Sequence, residues 1–315
     1  MSPGALVRGA PAALGAGLAG SAYALVMGRP VEDALPTLAV TGSTGWLGGL
    51  VAGDLASRGV WQRLLVRDVA RAPQLAGSVA AQCSYRDGEA ARAALEGVET
   101  LFMVSAAENA DRLDEHRIFV DAAASAGVRH VVYVSFFGAA PDATFTLARD
   151  HAATEEHLRA SGMAWTFLRD NLYLEFVEQM VGEDGVIRGP ADGGRAAVVS
   201  HEDVAAVATA VLLDPAAHAG VTYDLTGPEA LTFTEMAQVV SEVTGRRVRF
   251  HDETLEEAYA SRAVHGAPDW QVDAWVSTYT AVARGELDGV SGDVERVTGR
   301  RPVSLREYLE AQRRG

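Results

Sequence analysis

The chain has no lysine. All 27 basic residues among its 315 are arginine, which stays protonated and cannot serve as a titrating base. The absence excludes a Walker-type phosphate loop, a pyridoxal Schiff base and any Tyr-x-x-x-Lys catalytic pair. Cysteine is nearly absent too. Cys83 alone permits no intrachain disulfide and no cysteine-based metal cluster, and it suits a reducing compartment. Positive charge is in deficit, with 42 acidic residues giving a net charge of −15. A chain this acidic repels nucleic acid phosphates and anionic lipid heads, so neither nucleic acid nor a membrane is an expected partner. Long hydrophobic runs are also missing. The opening "GAPAALGAGLAGSAYALVMG" (9–28) is too broken by glycine to span a bilayer. It follows Arg8 and contains Ala22-Tyr23-Ala24, a small-x-small pattern of the kind that ends secretory signals. Its five glycines and one proline favour a disordered leader over 1–36, or a start at Met27, and a cytoplasmic location.

What is present is an alternation of short apolar runs with longer helical stretches. "TLAV" (37–40), "QRLLVR" (62–67), "SVAAQC" (78–83), "TLFMVS" (100–105), "HVVYVSF" (130–136) and "AWTFLR" (164–169) read as strands. Helices are expected between them over 46–59, 89–97, 110–127 and 146–162, three of them closed by Gly59, Gly97 and Gly127. Strands apolar on both faces and alternating with helices form a parallel sheet covered on both sides. The expected class is therefore α/β, a Rossmann-type doubly wound sheet over 37–170. Beyond it the pattern turns mostly helical, with helices expected over 201–214, 232–245, 254–263, 269–284 and 304–314 and short strands over 220–227 and 248–250. Thr232-x-x-Glu235, Thr254-x-x-Glu257 and Ser304-x-x-Glu307 are capping boxes. These residues form a smaller lobe, 171–315, that shares the core.

"TLAVTGSTGWLGG" (37–49) runs a strand into a helix through Gly42, Gly45 and Gly48. Gly42 makes the tight turn, Gly45 lets a phosphate approach, and Gly48 lets the helix pack on the strand. The second strand ends in "LLVRD". Arg67 at that point accommodates a ribose 2′-phosphate and favours NADP(H); Asp68 next to it keeps NAD(H) open.

The segments "VTGSTGWLGG", "LLVRD", "AALEGVETLFMVS", "DEHRIFVDAAASAGVRHVVYVSFFGA" and "WTFLRDNLYLE" together resemble the NmrA-like branch of the atypical short-chain dehydrogenases. Within it they are most similar to the type 2 quinone oxidoreductases and triphenylmethane reductases, over roughly residues 37 to 312. The resemblance implies a Rossmann lobe that holds NADP(H) and a small lobe that closes over the substrate. It places the cofactor on Gly42, Ser43, Thr44, Gly45, Trp46, Leu47, Gly48, Arg67 and Ser105. One position departs: Ser84 stands where the family often has an adenine-contacting aspartate, and Asp87 is the nearest substitute.

Without a Tyr–Lys pair, carbonyl reduction by the main short-chain dehydrogenase route is not expected. Hydride transfer to a quinone or another conjugated acceptor needs less acid help, because the developing charge is delocalised. The pocket should lie past the C-terminal ends of the strands. That brings Ser135, Phe136, Phe137 and Gly138, and Arg169, Asp170, Asn171, Leu172 and Tyr173, near the nicotinamide. Ser135 is expected on the cofactor, Phe137, Asn171 and Tyr173 on the substrate. His151, at the helix position of the usual catalytic pair, and Tyr173 are the candidate catalytic residues; a histidine tied to a strand end is the alternative for His151. Glu155 and His157 read as outer residues of the same helix, with Glu155 able to face His151. "SHED" (200–203) reads as a helix cap rather than a metal site, and no metal is expected. A small-molecule substrate and a homo-oligomer are consistent with the sequence. The rival to a reductase is an NADP(H)-binding regulator of the NmrA type without turnover.

Overall fold

The computed structural model describes residues 35–314, so residues 1–34, nearly all of the expected leader, lie outside the described residues. From Pro36 onward the chain forms a single unit. Its first half alternates strands with helices, except that β2 runs to β3 through a short 3-10 turn over Val69–Arg71. β1 (Leu38–Thr41) leads to α1 (Trp46–Ser57), β2 (Gln62–Val66), β3 (Ser78–Gln82) and α2 (Gly88–Ala94). β4 (Thr100–Met103), α3 (Arg112–Ser125), β5 (His130–Phe136), α4 (Thr146–Ala160) and β6 (Ala164–Asp170) follow. Left-handed glycines close three of these helices as expected, with φ of +73° at Gly59, +75° at Gly97 and +85° at Gly127.

The remainder carries more strand than its sequence pattern suggests. After α5 (Phe176–Gln179) come β7 (Val186–Gly189), β8 (Arg195–Ala196), α6 (His201–Leu213) and β9 (Val221–Leu225). Then follow β10 (Leu231–Thr232), α7 (Phe233–Thr244), β11 (Arg249–Asp252), α8 (Leu255–Ala263), α9 (Asp269–Ala283), α10 (Asp293–Thr298) and α11 (Leu305–Gln312). All three capping boxes form. β7 pairs with β11 and β8 with β10 in two small sheets, so the mostly helical C-terminal part also carries short strands.

The main sheet has seven strands in the order β3-β2-β1-β4-β5-β6-β9, all parallel. Both faces are covered, which makes the fold a Rossmann-type doubly wound α/β structure. On one face α1 and α6 bury Val51, Leu55, Val204, Val207 and Val211 against Val40, Phe102, Val134 and Leu168. On the other, Phe119, Val120 and Leu158 of α3 and α4 cover Leu101, Met103, Tyr133 and Phe167. The strand order reverses between β1 and β4. At such a point neighbouring crossovers depart to opposite faces and leave a crevice at the strand ends.

Candidate functional site

That crevice is occupied by a cleft of about 580 Å³, within the range of small-molecule sites. Its floor is the glycine turn. Gly42 has φ +67° and its carbonyl accepts from Gly45 N at 2.8 Å. A methyl group at Gly48 would lie 2.4 Å from the carbonyl carbon and oxygen of Gly42, so α1 can rest on β1 only with glycine there. At Gly45 the nearest neighbour of such a methyl would be Gly42 O at 3.3 Å, and Gly45 itself lines the cleft. The two later glycines thus divide the labour: Gly48 serves packing and Gly45 serves access.

No side chain among the described residues caps α1, and its first turn carries no acidic residue. Its leading N–H groups, at Trp46, Leu47 and Gly48, therefore face the cleft with their partial positive charge uncompensated. Ser43 Oγ in the same turn is buried with no hydrogen-bond partner among the described residues. Orphan donors and a glycine cradle at a helix start fit a pyrophosphate. Gly42, Thr44, Gly45, Trp46, Leu47, Gly48, Arg67 and Ser105 line the cleft, while Ser43 sits beneath it.

The far end of the cleft is built by the segments that follow β2 and β3. Arg67 is exposed there and enters none of the ion pairs among the described residues. Asp68 beside it caps a short 3-10 turn by accepting from Ala70 N at 3.0 Å and is not part of the cleft wall. Asp87 is likewise spent: it caps α2 through Ala90 N at 3.0 Å and is not part of the cleft wall. The substitute expected for the missing adenine contact is thus engaged elsewhere. Ser84, Tyr85 and Arg86 form that wall instead, with Arg86 held to Glu115 at 2.6 Å. Tyr85 stacks on Phe119 at 4.0 Å between ring centres, and its hydroxyl donates to Val104 O at 2.7 Å.

Towards β5 and β6 the polar side chains are internal. Arg112 is buried and donates to Ala106 O at 3.0 Å and to His151 Nε2 at 2.9 Å. Because arginine only donates, His151 Nε2 must accept, and its Nδ1–H points to Tyr133 Oη at 3.0 Å. Burial and the Arg112 charge hold the His151 ring well below its usual pKa. Both nitrogens are committed and the ring is neutral. His151 is therefore corrected from proton donor to a tie between α3, α4 and β5. His116 is a second such tie, with Nε2 accepting from Ala106 N at 2.8 Å and Nδ1 on Thr154 Oγ1 at 2.9 Å. Ser135 is fully buried and donates to Glu155 Oε1 at 2.6 Å, away from the cleft wall. Glu155 is not an outer residue either: it is buried and takes both Arg169 and Arg159. Asn171 is buried and donates to Leu287 O at 3.0 Å, joining the end of β6 to the C-terminal lobe. Phe137 packs on the lobe core with its ring against Gly289.

An aromatic corner stands at the near end: the sequence pointed to Trp46 for the cofactor and Tyr173 for the substrate, read His201 only as part of a helix cap, and gave Phe176 no role. Trp46 is half exposed, lines the cleft and stacks on His201 with centres 4.5 Å apart and planes 4° apart. The other face of His201 carries Tyr173 at 3.6 Å and 10°. Phe176 meets Tyr173 and His201 edge-on. Ser200 caps α6 by accepting from Asp203 N at 3.0 Å, which fixes His201 at the start of that helix. Glu175 Oε1 accepts from His201 N at 2.8 Å, while its Oε2 lies 3.0 Å from His201 Nδ1 without the alignment of a hydrogen bond. The Tyr173 hydroxyl donates to Asp170 Oδ2, a buried carboxylate at the end of β6. Burial pushes the Asp170 carboxyl up to about 7, against the pull of Tyr173 and Arg112.

A glycine-cradled cleft at the switch point of a parallel doubly wound sheet defines the class: a Rossmann-type dinucleotide-binding protein. The NmrA-like family matches residues 36–300, and the chain belongs to it. It is 32% identical to an NAD(P)H azoreductase of Xenophilus azovorans, covering 86% of this chain and 96% of that one. Among solved structures it resembles the NADPH complex of an Escherichia coli NADPH-dependent quinone oxidoreductase, with TM-score 0.80 and 30% identity over 87% of this chain and 99% of the other. It also resembles the NADP(H) complex of a Citrobacter sp. triphenylmethane reductase, with TM-score 0.78 and 31% identity over 87% and 99%. No helix among the described residues is long and apolar enough to cross a membrane.

Proposed function

We propose that this chain is an NADPH-dependent oxidoreductase that reduces a flat, conjugated small molecule such as a quinone. The observation that carries the cofactor is the pairing of orphan N–H groups at the start of α1 with an unpaired Arg67 at the other end of the same cleft. The first suits a pyrophosphate and the second a 2′-phosphate. The relatives' names point to azo, quinone and triphenylmethane acceptors, which share extended conjugation.

Bound in the cleft, the reduced dinucleotide supplies a hydride. The chain's own part is to orient the acceptor and provide a proton. Trp46, Tyr173 and Phe176 offer ring faces and edges around His201 on which a flat acceptor stacks. When Asp170 is protonated it donates across the bond the two share, which frees the Tyr173 O–H for the oxygen or nitrogen that becomes negative; as Tyr173 gives up that proton, Asp170 replaces it. Asp170 then regains a proton from water; a quinone or azo group gains one hydride and one proton in all, whereas a cationic triphenylmethane dye takes the hydride alone.

The test is NADPH oxidation by purified protein, followed at 340 nm across a panel of quinones, azo dyes and triphenylmethane dyes. Turnover of at least one acceptor class with NADPH is expected. Tight NADPH binding without oxidation across the whole panel would replace this reading with that of a dinucleotide-binding regulator.

A further inference from the structure

We infer that Arg86 is the residue that holds the adenine ring, by laying its guanidinium plane against the base, while Arg67 alone selects the 2′-phosphate. The inference rests on the dinucleotide reading of the cleft. Three observations carry it. First, the other candidates for the base are engaged. Asp87 caps α2, Ser84 Oγ accepts from Arg86 N at 3.3 Å, and the Tyr85 ring is covered by Phe119 with its hydroxyl on Thr41 and Val104.

Second, Arg86 is an arm fixed at one point and free at the other. Its Nε donates to Glu115 Oε1 at 2.6 Å, and Nη2 reaches Asn109 Oδ1 at 3.4 Å. The anchor is rigid: the Glu115 side chain on α3 is only 10% exposed, whereas that of Arg86 is 63% exposed. Asn109 is itself locked, accepting from Asp111 N at 2.8 Å and donating to Ala107 O at 2.9 Å. Arg86, Asn109 and Glu115 all line the cleft, so the arm straps the β3–α2 loop to the segment after β4 across its adenosine end.

Third, the charges of the two arginines differ in what they can do. The Glu115 carboxylate lies 2.6 Å from Arg86 Nε, so a phosphate dianion brought to that guanidinium would meet a negative charge beside it. A planar guanidinium still stacks on a ring face after its edge is hydrogen-bonded. Arg67 has no such partner among the described residues and presents an unpaired guanidinium to the phosphate.

This division of labour is read by equilibrium binding, using quenching of intrinsic fluorescence by NADPH and by NADH. Arg86→Ala should weaken both about three- to tenfold and leave their ratio unchanged. Arg86→Lys should behave as Arg86→Ala, because it keeps the charge and loses the plane. Glu115→Ala, which unpins the arm, should weaken both in the same direction. Reduced nicotinamide mononucleotide, which lacks the adenosine, should bind all these proteins alike. Arg67→Ser should instead abolish the preference for NADPH over NADH. Unchanged NADPH and NADH binding in Arg86→Ala would overturn the inference, as would a selective loss of NADPH that Arg86→Lys restores. Failure of the wild-type chain to bind NADPH at all would overturn the cofactor reading instead.

Discussion

At the scale of single residues, Asp170 is the group whose chemistry depends most on its surroundings. It sits at the end of β6, 5% exposed, with the Tyr173 hydroxyl as its side-chain partner. Arg112 from α3 and Tyr133 from β5 bear on it electrostatically, and Glu175 and His201 lie around Tyr173. With the folded carboxyl at about 7 and the ordinary value near 3.8, the folded state binds a proton that the unfolded chain has released between those limits. Stability from this site is thus full below pH about 4 and declines as pH rises to about 7. The buried His116, pushed down to about 3 by burial, has the opposite slope, since the unfolded chain takes up its proton first as pH falls through about 6.5. Comparison with Asp170→Asn separates the two. The variant should gain stability over wild type as pH rises from 5 to 8 in urea melts. Its kcat/KM should drop by about tenfold at pH 6 and lose the wild-type decline above pH 7. An unaltered decline in the variant would remove Asp170 from the proton path. None of this is legible in "LRDNLYLE", which orders the residues but does not say that β6 ends in the interior. The same blindness affects His151 and Asp87: a sequence shows a titratable group, not which neighbour has already claimed it.

At the scale of elements, the junction between β1 and α1 decides whether a cleft exists. Gly48 is the position with no freedom, because the contacts at 2.4 Å and the one to Thr41 O at 2.7 Å are with backbone atoms that cannot rotate away. Gly48→Ala should cost about 3 kcal/mol, the upper range for overpacking, read as a lower urea midpoint. It should also weaken NADPH binding, because α1 must lift from the strand and carry its N–H groups with it. Gly45→Ala should leave the urea midpoint close to wild type and act on binding alone. Equal midpoints for wild type and Gly48→Ala would contradict the packing role. The junction was readable from sequence because strand, glycine spacing and helix all fall within thirteen residues. β7, β8 and β10 were not, since runs of two to four residues are too short to show a period of two, whereas β11 matches the short strand expected over 248–250. α10 is likewise one and a half turns long, and its position is set by contact with α6 and β9 rather than by its own pattern.

At the scale of the whole molecule, the same distances that shape the site bind its two halves. β9, beyond residue 220, completes the main sheet by pairing with β6 from Thr166 to Asp170. α6 covers α1 and the sheet with Val204, Val207, Ala208 and Val211, so a core begun at Leu38 is not closed until Val294. Asn171 donates to Leu287 O, and Ala197 N donates to the same carbonyl at 3.0 Å. Glu286 accepts from Thr144 N at 2.9 Å. These links argue for a single cooperative unfolding transition, with fluorescence and circular dichroism melts that coincide. They argue further that a fragment of residues 36–170 is not a stable domain. It would expose one face of β1, β4, β5 and β6, leave the β6 edge unpaired, and lose the helix that holds His201 beneath Trp46. Such a fragment should bind hydrophobic dye and show no cooperative melt, in contrast to the full chain. A cooperative melt of the 36–170 fragment would mean that the nucleotide half folds alone. The aromatic corner would then be assembled only when the second half docks. If the fragment fails as expected, the cleft and the corner are products of one folding event, and the acceptor platform exists wherever the dinucleotide cradle does.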